Sequence, residues 1–124
     1  MLRKIAWILV VTIMMVISTC FASEKELAHN FYYLGAAQID NNTLSAKSKM
    51  VWADGSACVY TYSIDTKTKS STETEIEVFD TGGKRLSTYK ADYHYSYGDQ
   101  SYPLVTIIVD EALNEIAEKE KQKK

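Results

Sequence analysis

Between Phe31 and Tyr97, apolar side chains return at every second position in run after run, and each run stops at Asn, Asp or Gly. A period of two sends alternate side chains to opposite faces of an extended strand, so the greasy half of each run can be buried only by forming a sheet. The first run covers residues 31–39, and Asp40-Asn41-Asn42 turns the chain. Leu44, Ala46, Met50 and Trp52 then alternate with Ser45, Lys47 and Lys49, giving one buried and one wet face. Asp54-Gly55 suits the positive φ angles of a tight turn, so residues 56–65 should fold back antiparallel, with Cys58, Tyr60, Tyr62 and Ile64 on one face.

Residues 67–72 are polar throughout and mark a loop or a frayed edge. Beyond them Thr74, Ile76 and Val78 are expected on one face, and Glu73, Glu75 and Glu77 on the other. Three carboxylates in a row suggest a metal site, but residues two apart on a strand seldom converge on one ion, and the row reads as a solvated face. Asp80-Thr81-Gly82-Gly83-Lys84 closes another hairpin. Residues 86–97 make the last long strand, with Tyr89, Ala91, Tyr93, Tyr95 and Tyr97 on one side. After Pro103 the period changes, because Ile108, Val109, Ala112, Leu113 and Ile116 recur at helical steps. Asp110 and Glu111 are read as lying near the helix start and Lys119 to Lys124 at its tail, in the order a helix dipole favours. The expected fold is α+β: an antiparallel sheet of five to six strands with a C-terminal amphipathic helix packed on it.

The N-terminus carries an address. Arg3 and Lys4 precede an apolar run from Ile5 to Ile17, and Cys20 and Ala22 are the small residues a signal peptidase needs, so a signal-peptide helix cleaved between Ala22 and Ser23 is expected. The apolar run is short for a membrane anchor, which needs about 20 residues. Ile17-Ser18-Thr19-Cys20 approximates a lipobox, which makes Cys20 a lipidation candidate, although Thr19 replaces the usual Gly, Ala or Ser. Export would place the mature chain in the periplasm, at the cell surface or outside the cell. Loss of residues 1–22 leaves 12 basic against 16 acidic residues, which argues against nucleic acid as a partner. Cys58 is then the sole cysteine, and in an oxidising compartment it is either buried or pairs two chains into a homodimer. The chain divides into a signal peptide (1–22), an N-terminal segment (23–30), one domain (31–117) and a charged tail (118–124).

Four segments in this order carry a resemblance: Phe31-Tyr32-Tyr33-Leu34-Gly35, the Asp54-Gly55 turn followed by Tyr60-Thr61-Tyr62-Ser63-Ile64, Val78-Phe79-Asp80-Thr81-Gly82-Gly83-Lys84, and Val109-Asp110-Glu111-Ala112-Leu113. Together they resemble the surface-adhesin protein E-like domain of exported bacterial proteins. The resemblance implies about six antiparallel strands curved into a half-open barrel, with the C-terminal helix against it. It also implies a binding role, since the family includes an adhesin for host matrix and plasma proteins such as vitronectin, laminin and plasminogen. The adhesin's disulfide between helix and sheet has no counterpart here, because the helix carries no cysteine.

Exposed tyrosines offer large contact area, little entropy to lose and a hydroxyl, so Tyr89, Tyr93, Tyr95 and Tyr97 form the expected protein-binding face. Lys47, Lys49 and Lys90 are expected anchors for an acidic partner. The opposing reading is that these rings line the sheet's inner face under the helix. A periplasmic or envelope accessory protein, binding its partner by strand addition along residues 69–79, is the alternative. An enzyme such as a small secreted hydrolase has less support: His94 near Asp92 could orient a general base, but no nucleophile elbow or phosphate loop accompanies it. Neither a cofactor nor a metal site is expected. Asn41-Asn42-Thr43 matches a glycosylation sequon, which matters only in a eukaryotic secretory route.

Overall fold

The structure is a computed structural model that describes residues 24–122. The expected signal helix, the Ala22–Ser23 cleavage point and Cys20 lie outside the described residues. Six strands, β1 (Lys25–Ala28), β2 (Phe31–Asp40), β3 (Thr43–Val51), β4 (Ala57–Asp65), β5 (Ser71–Phe79) and β6 (Arg85–Tyr95), precede one helix, α1 (Pro103–Gln122). The strands pair antiparallel in sequence order and form a sheet that does not close, so β1 and β6 are its edges. Every β-connection is a short hairpin, which the Asx and Gly chemistry accounts for. Asp54 Oδ1 accepts Ser56 N at 2.9 Å around Gly55 (φ +89°), and Asp80 Oδ1 accepts Gly82 N at 3.0 Å and Lys84 N at 2.8 Å on either side of Gly83 (φ +85°).

One face of the sheet carries the core. Leu44, Ala46, Tyr62 and Ile64 meet Ile108, Val109 and Ala112 of α1, all at most 4% exposed, with Phe31 and Tyr33 closing the β2 side. Fully burying a Leu or Ile side chain stabilises by about 1.5–3 kcal/mol, so this cluster is the main attachment of the helix. The first half of α1, Val105-Thr106-Ile107-Ile108-Val109, is β-branched throughout and a poor helix former alone; packing against the sheet holds it helical. Pro103 begins the helix, where its missing N–H costs nothing.

A second attachment is polar. In β2 the register slips between Tyr33 and Gly35, whose φ is +123°. Glu115 of α1 fills the gap, accepting Ala36 N at 2.6 Å and the Tyr33 hydroxyl at 3.0 Å. Burial, and then the Glu115 charge, push the Tyr33 phenol well above its ordinary value. Lys25 of β1 reaches Glu111 at 2.8 Å. Helix and sheet are thus tied by carboxylates.

Several expectations are corrected. Segment 23–30 contains an edge strand, β1. The strand expected as the open edge, residues 69–79, corresponds to β5, which is paired on both sides. Glu73 leaves the expected row of carboxylates, because the chain bulges at Thr74: Tyr62 faces Glu73 while Thr61 faces Glu75. The bulge turns Glu73 onto the core face, 6% exposed, and leaves Glu75 and Glu77 on the other. Trp52 lies just past β3 and is 50% exposed. The first turn of α1 holds no acidic residue, since the helix starts at Pro103 and places Asp110 and Glu111 near its middle. The helix also continues into the segment read as a charged tail, as far as Gln122.

Candidate binding face

The β-ladder assigns every candidate residue to a face. Ser71 and Glu73 on the core face stand opposite Tyr95 and Tyr93, and Ile76 stands opposite Tyr89, so the three tyrosines of β6 share the face that α1 covers elsewhere. The helix packs mainly on β2 and β3, and Tyr89 and Tyr93 of β6 stay exposed on that face. Tyr89 is 57% exposed, Tyr93 59% and Tyr97 41%. The reading that placed Tyr89 and Tyr93 beneath the helix is therefore overturned: they lie on the correct face but beyond its reach.

Tyr95 behaves differently. It is half-buried against the core and meets Tyr102 edge-on, with ring centroids 5.0 Å apart and planes at 68°. Tyr102, 52% exposed, was missed in the sequence because it stands in a turn, outside any periodic run. Tyr97, expected on the last strand, instead lies in the turn beyond the end of β6 and is held from two sides: its hydroxyl donates to Asp110 Oδ1 at 2.8 Å, and Lys69 Nζ sits 4.8 Å from its ring centroid. The C-terminal end of β6 is thereby fixed to the helix, while Tyr89 and Tyr93 project freely. Four residues of strand separate those two rings by roughly 13 Å.

Beneath them lies a buried carboxylate. Burial raises the Glu73 pKa above the ordinary carboxylate value, against a smaller lowering by a hydrogen bond from Tyr62. Tyr60 and Tyr62 are also raised, burial being the first cause in each. Cys58 is half-buried on the same face of central strand β4, between Met50 and Val78 of the neighbouring strands.

The lysines do not join the tyrosines. Lys47 and Lys90 align with Thr61 and Glu75 on the opposite face, and Lys49 with Val59 and Glu77. Lys47 pairs with Glu77 at 4.0 Å, and Lys49 pairs with Glu24 while lying 5.3 Å from the Tyr32 ring centroid, so two of the three anchors are engaged within the chain. His94 is also on this face, 3.1 Å from Asp92 and 2.9 Å from Thr72 Oγ1, with 72% of its side chain exposed. The same face holds a concavity of about 490 Å³ lined by Leu34, Val51, Val59 and Phe79, with Lys49 and Asp80 at its rim. Among the described residues no three His, Cys, Asp or Glu side chains are grouped to hold a metal, and no helix is long and apolar enough to cross a membrane. Compared with protein-family models, with curated proteins and with solved structures, the chain matches none of them.

Proposed function

We propose that this chain is an exported, non-enzymatic protein-binding module of the surface-adhesin protein E-like kind, and that it contacts its partner through the helix-free tyrosine face. The observation that carries the reading is the exposure of Tyr89 and Tyr93, 57% and 59%, on a sheet face otherwise devoted to the core. Rings standing free on rigid strands lose little entropy on contact and offer hydroxyls to a partner's backbone. Export rests on the charged head, short apolar run and small-residue end of residues 1–22. The lysines have no part in this face.

The test is biolayer interferometry of the purified protein against immobilised vitronectin, laminin and plasminogen. Capture of at least one is expected, with affinity lost by about tenfold or more when Tyr89 and Tyr93, the two rings without the ties that hold Tyr97, are both replaced by Ala. Substitutions at exposed positions shift stability by only about 0.5 kcal/mol each, so far-UV circular dichroism should be unchanged. Failure to bind any of the three proteins, or equal binding by the double variant, would refute the proposal.

A further inference from the structure

A sheet that does not close has two edges, and this one treats them unequally. β1 is four residues long, its register breaks between Glu26 and Ala28, and the Lys25–Glu111 pair ties it to the helix. β6 runs for eleven residues, Arg85–Tyr95, without proline or glycine, and among the described residues only its β5 side is paired; that ladder shifts register twice, opposite Thr74 and next to Phe79, but the side chains of β6 still alternate between faces from Ser87 to Tyr95. Short, broken edges resist further pairing, whereas long ones that keep their alternation template it.

The residues of β6 say which strand would pair there. Tyr89-Lys90-Ala91-Asp92-Tyr93 is symmetric about Ala91 in its aromatic residues and antisymmetric in its charges. Two copies laid antiparallel about a two-fold axis at Ala91 would set each Lys90 opposite Asp92 of the other copy, and each Tyr89 opposite Tyr93. The alternation of β6 sends both ion pairs to one face and both ring pairs to the other, with the small Ala91 side chains between the rings. Such directly opposed pairs are the stabilising unit of a sheet. Slipping the register by two residues in either direction would instead set Lys90 against Lys90 or Asp92 against Asp92, so one alignment is selected.

The charges are available. Lys90 has no ion-pair partner among the described residues, and Asp92 has only His94; the Asp92 side chain is 83% exposed. The geometry points to a homodimer in which β6 pairs with β6 of a second copy about Ala91, making one continuous sheet. This is an isologous contact, the commonest kind in soluble oligomers. It would bring the two tyrosine faces together on one side of the joined sheet. The inference uses the edge rather than the face, and does not rest on the proposed partner.

Sedimentation velocity on protein expressed from the full sequence, its mature mass recorded, tests this from about 1 µM to about 0.5 mM. A Cys58→Ser background removes thiol pairing. The parent should show a reversible monomer–dimer equilibrium. Asp92→Lys places Lys opposite Lys at both ion pairs and should weaken dimerisation about tenfold or more, and Lys90→Asp should do the same with opposite sign. The double swap, Lys90→Asp with Asp92→Lys, restores opposite charges and should return the affinity to within about threefold of the parent. Circular dichroism of each variant checks the monomer fold, and all tyrosines remain in place, so partner binding can be scored separately. A monomer at every concentration overturns the inference, as does a dimer lost with Cys58, a dimer indifferent to Asp92→Lys, or a swap that fails to rescue.

Discussion

Replacing Glu115 by Ala should release α1 from the sheet more than any other single polar substitution. The carboxylate accepts from Ala36 N at 2.6 Å and from the hydroxyl of Tyr33, which is 4% exposed. Hydrogen bonds to a charged acceptor contribute about 1.5–3 kcal/mol each, and a buried donor left alone costs about 1–3 kcal/mol. The Glu115 side chain is 23% exposed, so water can reach part of the vacated site, and the loss is about 3 kcal/mol rather than the full sum. With a urea slope near the low end for small domains, about 1.2 kcal/mol per molar, the unfolding midpoint should fall by roughly 2.5 M. Glu115→Gln keeps an acceptor and loses only the charge, so its midpoint should fall by less than about 1 M. Urea titration followed by far-UV circular dichroism measures both. An Ala variant within about 0.5 kcal/mol of the parent, or a Gln variant as damaged as the Ala one, would show that the carboxylate is not what fastens the helix.

Two further outcomes follow from the same interface and its neighbour. Gly35→Ala forces an L side chain to φ +123° and should cost about 1–3 kcal/mol. Because it also displaces Ala36 N from Glu115, thermal melts of the double variant should show less than the sum of the two single losses; strict additivity would separate the bulge from the helix anchor. At Glu73, burial raises the folded-state pKa, so the native protein holds that proton more tightly than the unfolded chain. Its contribution to stability therefore declines as pH rises from the ordinary carboxylate value through the folded one, and is constant above it. Glu73→Gln should remove that part of the slope when urea midpoints are compared from about pH 4 to about pH 8, and identical slopes would contradict the assignment.

Most of the sheet was legible because period-two patterning and turn chemistry agree at each hairpin. Phe31, Leu44, Ala57 and Arg85 begin or nearly begin runs that the alternation marks out, whereas β5 starts at Ser71, inside the polar segment read as a loop or frayed edge. The bulges were not legible. Thr74 carries no signature separating an extra residue from a paired one, yet it reverses the face of Glu73 and turns an apparent row of three carboxylates into a buried acid and an exposed pair. β1 escaped because four residues, Lys25–Ala28, are too few to show a period, and its pairing depends on β2 and on Glu111. The candidate site divided for a related reason: strand parity shows that Tyr89 and Lys90 face opposite ways, but not which strands the helix covers.

That coverage follows from dimensions. A helix with its side chains is about 10–12 Å across, and strands lie about 4.8 Å apart, so one helix shields little more than two strands. α1 takes β2 and β3, where Leu44, Ala46 and Phe31 are buried. The remaining core-face positions on β5 and β6 can be polar, can meet another molecule, or can hold residues that tolerate both conditions. Tyrosine is the third solution: Tyr89 and Tyr93 stand opposite Ile76 and Glu73 of β5, and such a side chain joins an apolar ring to a polar tip. A strip serving only to be solvated could use Ser, Thr or Lys, as the opposite face of β6 does with Thr88 and Lys90. Rings at 57% and 59% exposure would then be a needless expanse of apolar surface, which is the physical ground for reading this strip as a place of contact.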